Sequence, residues 1–160
     1  MSMTNGLEAM LQSAGEWTGT NDLVLQEGAA PLRSAAAARV AAVLLGRFVR
    51  VDYTWSYEGQ PQEGMMLIGY QPKAGVVTMD WADTMHNGRR VMHCTGGAAA
   101  DGALEVKGTY PAPPGPDWGW RTVIAPAGAA GEKLVITMYN IWPEGKEDFA
   151  VRMELVRVGG

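Results

Sequence analysis

The chain has a single cysteine, Cys94, so no disulfide can form within it. A reducing compartment is the expected setting, and a disulfide-free secreted protein is the alternative. Histidine is equally scarce. His86 and His93 are the two present, and neither stands at a spacing that supplies the three or four converging ligands of a metal site. No metal and no cofactor are expected. Positive charge is not in excess either: 13 Lys and Arg stand against 17 Asp and Glu, a net charge of -4. No basic run is available to grip phosphates or anionic lipid, which argues against nucleic acid and membrane as partners.

Long apolar runs are missing. The least polar stretch, Ala35–Leu45, is interrupted by Arg39 and falls far short of the ~20 residues that span a bilayer. Met1–Ser13 has no basic start and no continuous apolar core of signal-peptide length, so a cytoplasmic location is expected, with a mature form trimmed of its leader as the alternative. No Ser/His/Asp signature is visible, and no glycine loop follows a strand and opens a helix as a phosphate cradle would. No segment repeats, which excludes propellers and solenoids. No linker divides the chain, so residues 1–160 are read as one domain.

What the chain does have is alternation. Ten short stretches of alternating apolar and polar residues, separated by Gly, Pro and Asp-Gly turns, run from Gly15 to Val158. This predicts an all-β antiparallel meander of about ten strands, and a meander of that length closes into a barrel to remove its edges. Leu7, Met10, Leu11 and Ala14 recur at helical spacing and predict a short amino-terminal helix, with Gly15 as its stop. The Ala-rich segment Ser34–Leu45 reads as helix by propensity and as the second strand by context; the strand reading is preferred. The third segment is the clearest, with Val49, Val51, Tyr53, Trp55 and Tyr57 on one face and Arg50, Asp52, Thr54, Ser56 and Glu58 on the other. Val77, Met79, Trp81 and Asp83 share a face in the fifth. Asn87-Gly88 predicts a tight hairpin into a sixth strand near Arg89–Thr95. Gly96–Ala100 and Ala127–Gly131 read as turns. Pro111-Ala112-Pro113-Pro114-Gly115-Pro116 must be a loop. In the tenth segment Phe149, Val151, Met153 and Leu155 fall on one face.

Gly15-Glu16-Trp17, followed by an Arg near the end of the last strand, resembles the signature of the lipocalin and fatty-acid-binding (calycin) superfamily. That resemblance implies a Trp17 that plugs one end of the barrel and an Arg157 that lies across its ring, with Arg152 the weaker candidate. Leu45-Gly46-Arg47-Phe48, Gly69-Tyr70 and Trp81-x-Asp83 extend the likeness to a bacterial family of unknown function with a lipocalin-like barrel. The chain departs from it at Gln71, where Asp is frequent, and at the Pro-rich loop. A related branch binds haem through a His near the carboxyl terminus. This chain has no His after His93, so haem does not carry over.

The inward phase collects Tyr53, Trp55 and Tyr57, Met79 and Trp81, Trp118 and Trp120, then Met138, Asn140, Trp142 and Met153. Flat rings beside methionines make an adaptable wall for a small hydrophobic or aromatic ligand, with Asn140 and Asp83 as polar handles. The alternative is a barrel filled by its own side chains. Asp83, as a carboxylate in an apolar pocket, is expected to have a raised pKa. It would then serve as general base, paired with His86 or Tyr53, in a small isomerase- or cyclase-type enzyme. The preferred reading is the plainer one, that Asp83 sits at the strand end and accepts hydrogen bonds from turn backbone. His86 reads as a solvated turn residue, His93 as a polar residue of a strand face and Cys94 as a small buried one. An interaction module is the third reading, with strand edges or the Pro-rich loop contacting a partner or a second copy in a homodimer.

Overall fold

Period-two alternation with turn residues at each break leaves one economical solution, a sheet rolled until its first and last strands pair. The computed structural model describes residues 7–159 and shows that solution. A short helix, α1 (Glu8–Gln12), precedes ten strands: β1 (Gly15–Leu23), β2 (Leu32–Val43), β3 (Phe48–Tyr57), β4 (Gln60–Gln71), β5 (Val76–Asp83), β6 (Met92–Ala98), β7 (Leu104–Tyr110), β8 (Trp118–Ala127), β9 (Lys133–Ile141) and β10 (Glu147–Arg157). Each is antiparallel to its neighbour in sequence, and β1 pairs with β10 from Trp17↔Arg157 to Leu23↔Val151, which closes the barrel. The Ala-rich segment is a strand. Its inward alanines Ala36 and Ala38 are buried, and tertiary pairing on both edges outweighs helix propensity.

Residues 1–6 of the segment read for a leader lie outside the described residues. Among the described ones no helix is long and apolar enough to cross a membrane.

One end of the barrel is shut by α1 and by the first and last strands. Leu7 and Met10 are buried beneath it. Trp17 is 1% exposed and donates from its indole nitrogen to the Ser13 carbonyl at 2.9 Å. The Arg157 guanidinium lies 4.5 Å from the centre of the Trp17 rings and donates to the carbonyls of Ala14 (2.8 Å) and Gln12 (3.1 Å). One cation thus covers an indole face and satisfies carbonyls at the exit of the helix. Gly15 opens β1 rather than stopping the helix, whose C-cap is Ser13. Its φ of +139° and the 3.1 Å from an added Cβ to Arg157 Nη1 explain why a side chain does not fit there.

Three local expectations change. The Asn87-Gly88 hairpin is not tight: residues 84–91 form a longer connection, and β6 begins at Met92. The cause is the Asp83 carboxylate, which draws the next backbone amides into a turn at the end of β5. Gly96 and Gly97 belong to β6 rather than to a turn. A bulge between Phe149 and Val151 shifts the phase of β10, so Ala150 is buried while Phe149 turns outward against Tyr139.

Arg157→Ala should lower stability by about 1–2 kcal/mol, the scale of a partly desolvated cation over an indole. Urea unfolding monitored by fluorescence checks this. An unchanged midpoint would mean the contact is incidental.

Candidate functional site

The closed end is solid. Ile68, Val77, Met79, Leu104, Val106 and Ile124 interdigitate there with no measurable space between them. Met79, expected on a ligand wall, is part of this packing. Further up, Asn21, Tyr53, Trp55, Met138 and Met153 surround a void of about 10 Å³, room for one water molecule. The open interior expected of a ten-strand barrel is therefore absent. The indoles and methionines fill it, and a residue from outside the strands, His86, completes the filling.

His86 reaches inward from the β5–β6 connection. It is not a solvated turn residue: 13% of its side chain is exposed. Its ring centre lies 5.5 Å from that of Trp55, 5.8 Å from Trp81 and 5.3 Å from Trp120. Trp81 and Trp120 stack at 5.3 Å with 22° between their planes. Contacts of this kind contribute about 0.5–1.5 kcal/mol each beyond burial.

Asp83 holds this arrangement from below. It is 3% exposed. Its Oδ2 accepts from the Tyr53 hydroxyl (2.7 Å) and the Trp55 indole nitrogen (3.2 Å). Its Oδ1 accepts from the amides of Met85 and His86, both at 2.9 Å, and faces His86 Nδ1 at 3.2 Å. Trp81 Nε1 donates in turn to the Tyr53 hydroxyl at 2.9 Å. Gly64 makes room, since a Cβ there would sit 2.0 Å from the Tyr53 ring. The expectation of a raised Asp83 pKa is corrected. Burial pushes the carboxyl up, but the hydrogen bonds and charge of His86 and the Tyr53 hydroxyl outweigh burial and hold it below its usual value. The Tyr53 phenol moves the other way, well above its ordinary range, through burial and the adjacent Asp83 charge. Asp83 is a saturated anion and Tyr53 a fixed donor, so neither is poised to carry protons.

Beside this cluster the ladder between two neighbouring strands stops while the strands stay in contact, Gly108 lying against Met92, His93 and Cys94. β6 and β7 pair only from Thr95↔Lys107 to Ala98↔Leu104. Residues 92–94 and 108–110 continue toward the open end without a ladder between them. Over this seam lies a cleft of about 830 Å³. Trp81, Trp120, His86, Met85 and Met92 line it on the barrel side, with Tyr110 opposite and Arg89 and Arg90 at the rim. Tyr110 donates to Asn140 Oδ1 at 2.5 Å. Three of the residues read as ligand wall form a separate rim: Trp118 and Trp142 pack at 4.8 Å, and Trp142 donates to Asp148 at 2.6 Å beside Asn140. Tyr57 is half-buried at the end of β3.

The sequence from residue 5 to 157 matches the family described as "Protein of unknown function (DUF1579)". The chain belongs to the DUF1579 family. No curated protein matches it. Among solved structures, the crystal structure of Rv2717c from M. tuberculosis is similar to this DUF1579 chain, with a TM-score of 0.61 and 14% identity over 95% of this chain and 96% of that one. At that identity the likeness concerns the fold alone.

Sequence reasoning brought Tyr53, Trp55, Trp81, Trp120 and Asp83 together. It missed the cleft residues Met85, Arg89, Arg90, Met92 and Tyr110, and it missed the inward turn of His86. The one available signal was Asp83 standing three residues before His86, the spacing at which an aspartate captures turn amides. Among the described residues no three His, Cys, Asp or Glu side chains converge as a metal would require. His93 lies on the outer face against Asp80 at 2.6 Å. Cys94 is buried and inert: burial, reinforced by the charge of Asp80, pushes its thiol up to about 12.

Because folding holds Asp83 below its ordinary pKa, its ionised form contributes stability that is complete above about pH 4 and is lost as pH falls through the lower folded value. Acid titration of stability should therefore be shallower in Asp83→Asn than in the parent, at a reduced plateau near neutrality. Identical slopes would show that Asp83 is not held ionised by the fold. Cys94 should resist a thiol reagent such as DTNB at pH 8 in the native protein and react at once after unfolding in guanidinium; rapid native labelling would contradict its burial.

Proposed function

We propose that this chain is a lipocalin-like barrel that binds a small hydrophobic or aromatic molecule, and that the molecule sits in the cleft over the β6–β7 seam rather than deep in the barrel. The observation that carries the reading is the cleft itself, about 830 Å³, within the range of small-molecule sites. Its inner wall is the stacked Trp81–Trp120 pair. A flat ring lies against the part of that wall the cleft reaches, the edge of Trp120 with Met85, Val91 and Tyr110, at little entropic cost, because the Asp83 network already fixes the neighbouring His86. The closed interior supports the placement, since a void of about 10 Å³ admits nothing larger than water.

One observation favours a second reading, acid–base catalysis of the isomerase or cyclase type. Asp83 occupies Nδ1 of His86 and leaves Nε2 without a hydrogen-bond partner among the described residues. In that reading His86 carries the proton and Asp83 orients it, which reverses the roles expected from the sequence.

Titration with neutral flat aromatics such as 2-naphthol, followed by tryptophan fluorescence and calorimetry, tests the binding reading. Saturable binding is expected. Trp120→Phe should weaken it about two- to tenfold, the scale of one stacking contact, and Trp142→Phe, outside the cleft, should leave it unchanged. Absence of saturable binding by any compound of the class would overturn the reading.

A further inference from the structure

Resting on the cleft reading, we infer that the ligand is an acid: a flat aromatic body bearing a carboxylate or a comparable anionic group, its ring against Met85, Tyr110 and the edge of Trp120 and its charge toward Arg89 and Arg90. The first support is the sign of the lining. The chain is net negative at -4, yet no Asp or Glu lines the cleft, while Arg89 and Arg90 do. Most arginines elsewhere on the barrel are matched by a carboxylate, as Arg33 is with Asp22, Arg50 with Asp52, Arg121 with Glu147 and Arg152 with Glu154; among the described residues the exceptions are Arg47, in the connection from β2 to β3, and Arg157, which lies on Trp17. Arg89 and Arg90 are exposed and have no ion-pair partner among the described residues. Two adjacent unpaired guanidiniums at the edge of an aromatic cleft are an acceptor site for a planar oxyanion, which a guanidinium binds through paired N–H donors.

The second support is shape. Behind the cleft, the void among Tyr53, Trp55 and Met138 is about 10 Å³ and the packing below it has no space. An extended acyl chain therefore has no tunnel to occupy, although its carboxylate would satisfy the same arginines. A compact ring system fits, because its apolar area is covered by Met85, Val91, Tyr110 and the edge of Trp120. The third is the polarity of the wall. The Nε1–H of Trp120 is buried without an acceptor, and an unpaired buried donor is destabilising by about 1–3 kcal/mol. Seating a ligand oxygen nearby, with a small shift of the indole, relieves that, while the unpaired Asn87 Oδ1 of the same lining would take a ligand N–H or O–H. Asp83, the nearest carboxylate, is screened from the cleft by His86 and neutralised by its own donors.

Calorimetry on the full chain with four probes tests the inference: 2-naphthoate, its neutral analogue 2-naphthamide, the cation 2-naphthylmethylammonium, and palmitate. The expected order puts 2-naphthoate about tenfold or more tighter than 2-naphthamide, with the cation weakest and palmitate below 2-naphthoate. Raising the salt should erode the naphthoate advantage. In an Arg89→Ala/Arg90→Ala double variant, which removes exposed side chains and no packing, the advantage should vanish while 2-naphthamide binds as before. Equal affinity of naphthoate and naphthamide would overturn the acid and leave the cleft intact. Palmitate as the preferred ligand would overturn the flat body. Failure of every naphthalene probe to bind would overturn the cleft reading together with the inference.

Discussion

Burying a carboxylate in a protein interior is tolerated only when hydrogen bonds replace the water it loses, and the open end of this barrel is arranged around that requirement at Asp83. Donors arrive from three directions: the hydroxyl and indole of Tyr53 and Trp55 on β3, the amides of Met85 and His86 in the connection beyond β5, and the His86 ring. Each donor is held in place by answering the same charge. Tyr53 then orients Trp81, and His86 settles against Trp55, Trp81 and Trp120. A loop that turn chemistry alone would make a short hairpin becomes a plug.

The two ends of the barrel meet their polar obligations by different means. At the closed end a half-buried cation does the work, with Arg157 lying on Trp17 and satisfying the last carbonyls of the α1 region. Everything beneath is apolar and tightly packed. At the open end an anion does it, and the packing is mixed, with the orphaned atoms Asn21 Nδ2, Thr122 Oγ1 and Trp120 Nε1 among the indoles. Unpaired polar atoms and the interrupted β6–β7 ladder in the same region mark it as the less finished half of the molecule. The outward charge pairs, such as Arg50 with Asp52, are surface contacts of little energetic weight. Their use here is as a contrast to the unpaired arginines of the cleft.

The strands were legible because alternation is a local property. Val49 to Tyr57 declare their two faces without reference to any other segment, and even the Ala-rich β2 followed once its neighbours were known. Trp17 and Arg157 were legible through resemblance. The β10 bulge was not, since a bulge at Phe149 depends on how β9 lies beside it. Nor was the inward turn of His86: its sequence neighbourhood, a turn rich in polar residues, describes a solvated loop. The Asp83 pKa was misjudged for the same reason. From sequence, an acid among aromatics lacks partners; in the fold, Tyr53 lies thirty residues away along the chain and 2.7 Å away in space.

The amino-acid sequence by itself thus determined the architecture, the inward phase of its rings and the candidacy of Asp83, all consequences of period-two geometry and turn residues acting over a few positions. Tertiary structure alone decided that the interior is full, that His86 plugs it, and that a cleft opens beside Arg89 and Arg90. The reason is that volume and charge compensation belong to no segment. Whether a hollow survives depends on the sum of side chains pointing into it from ten strands and one loop, and whether a charge is paired depends on what register brings across the sheet.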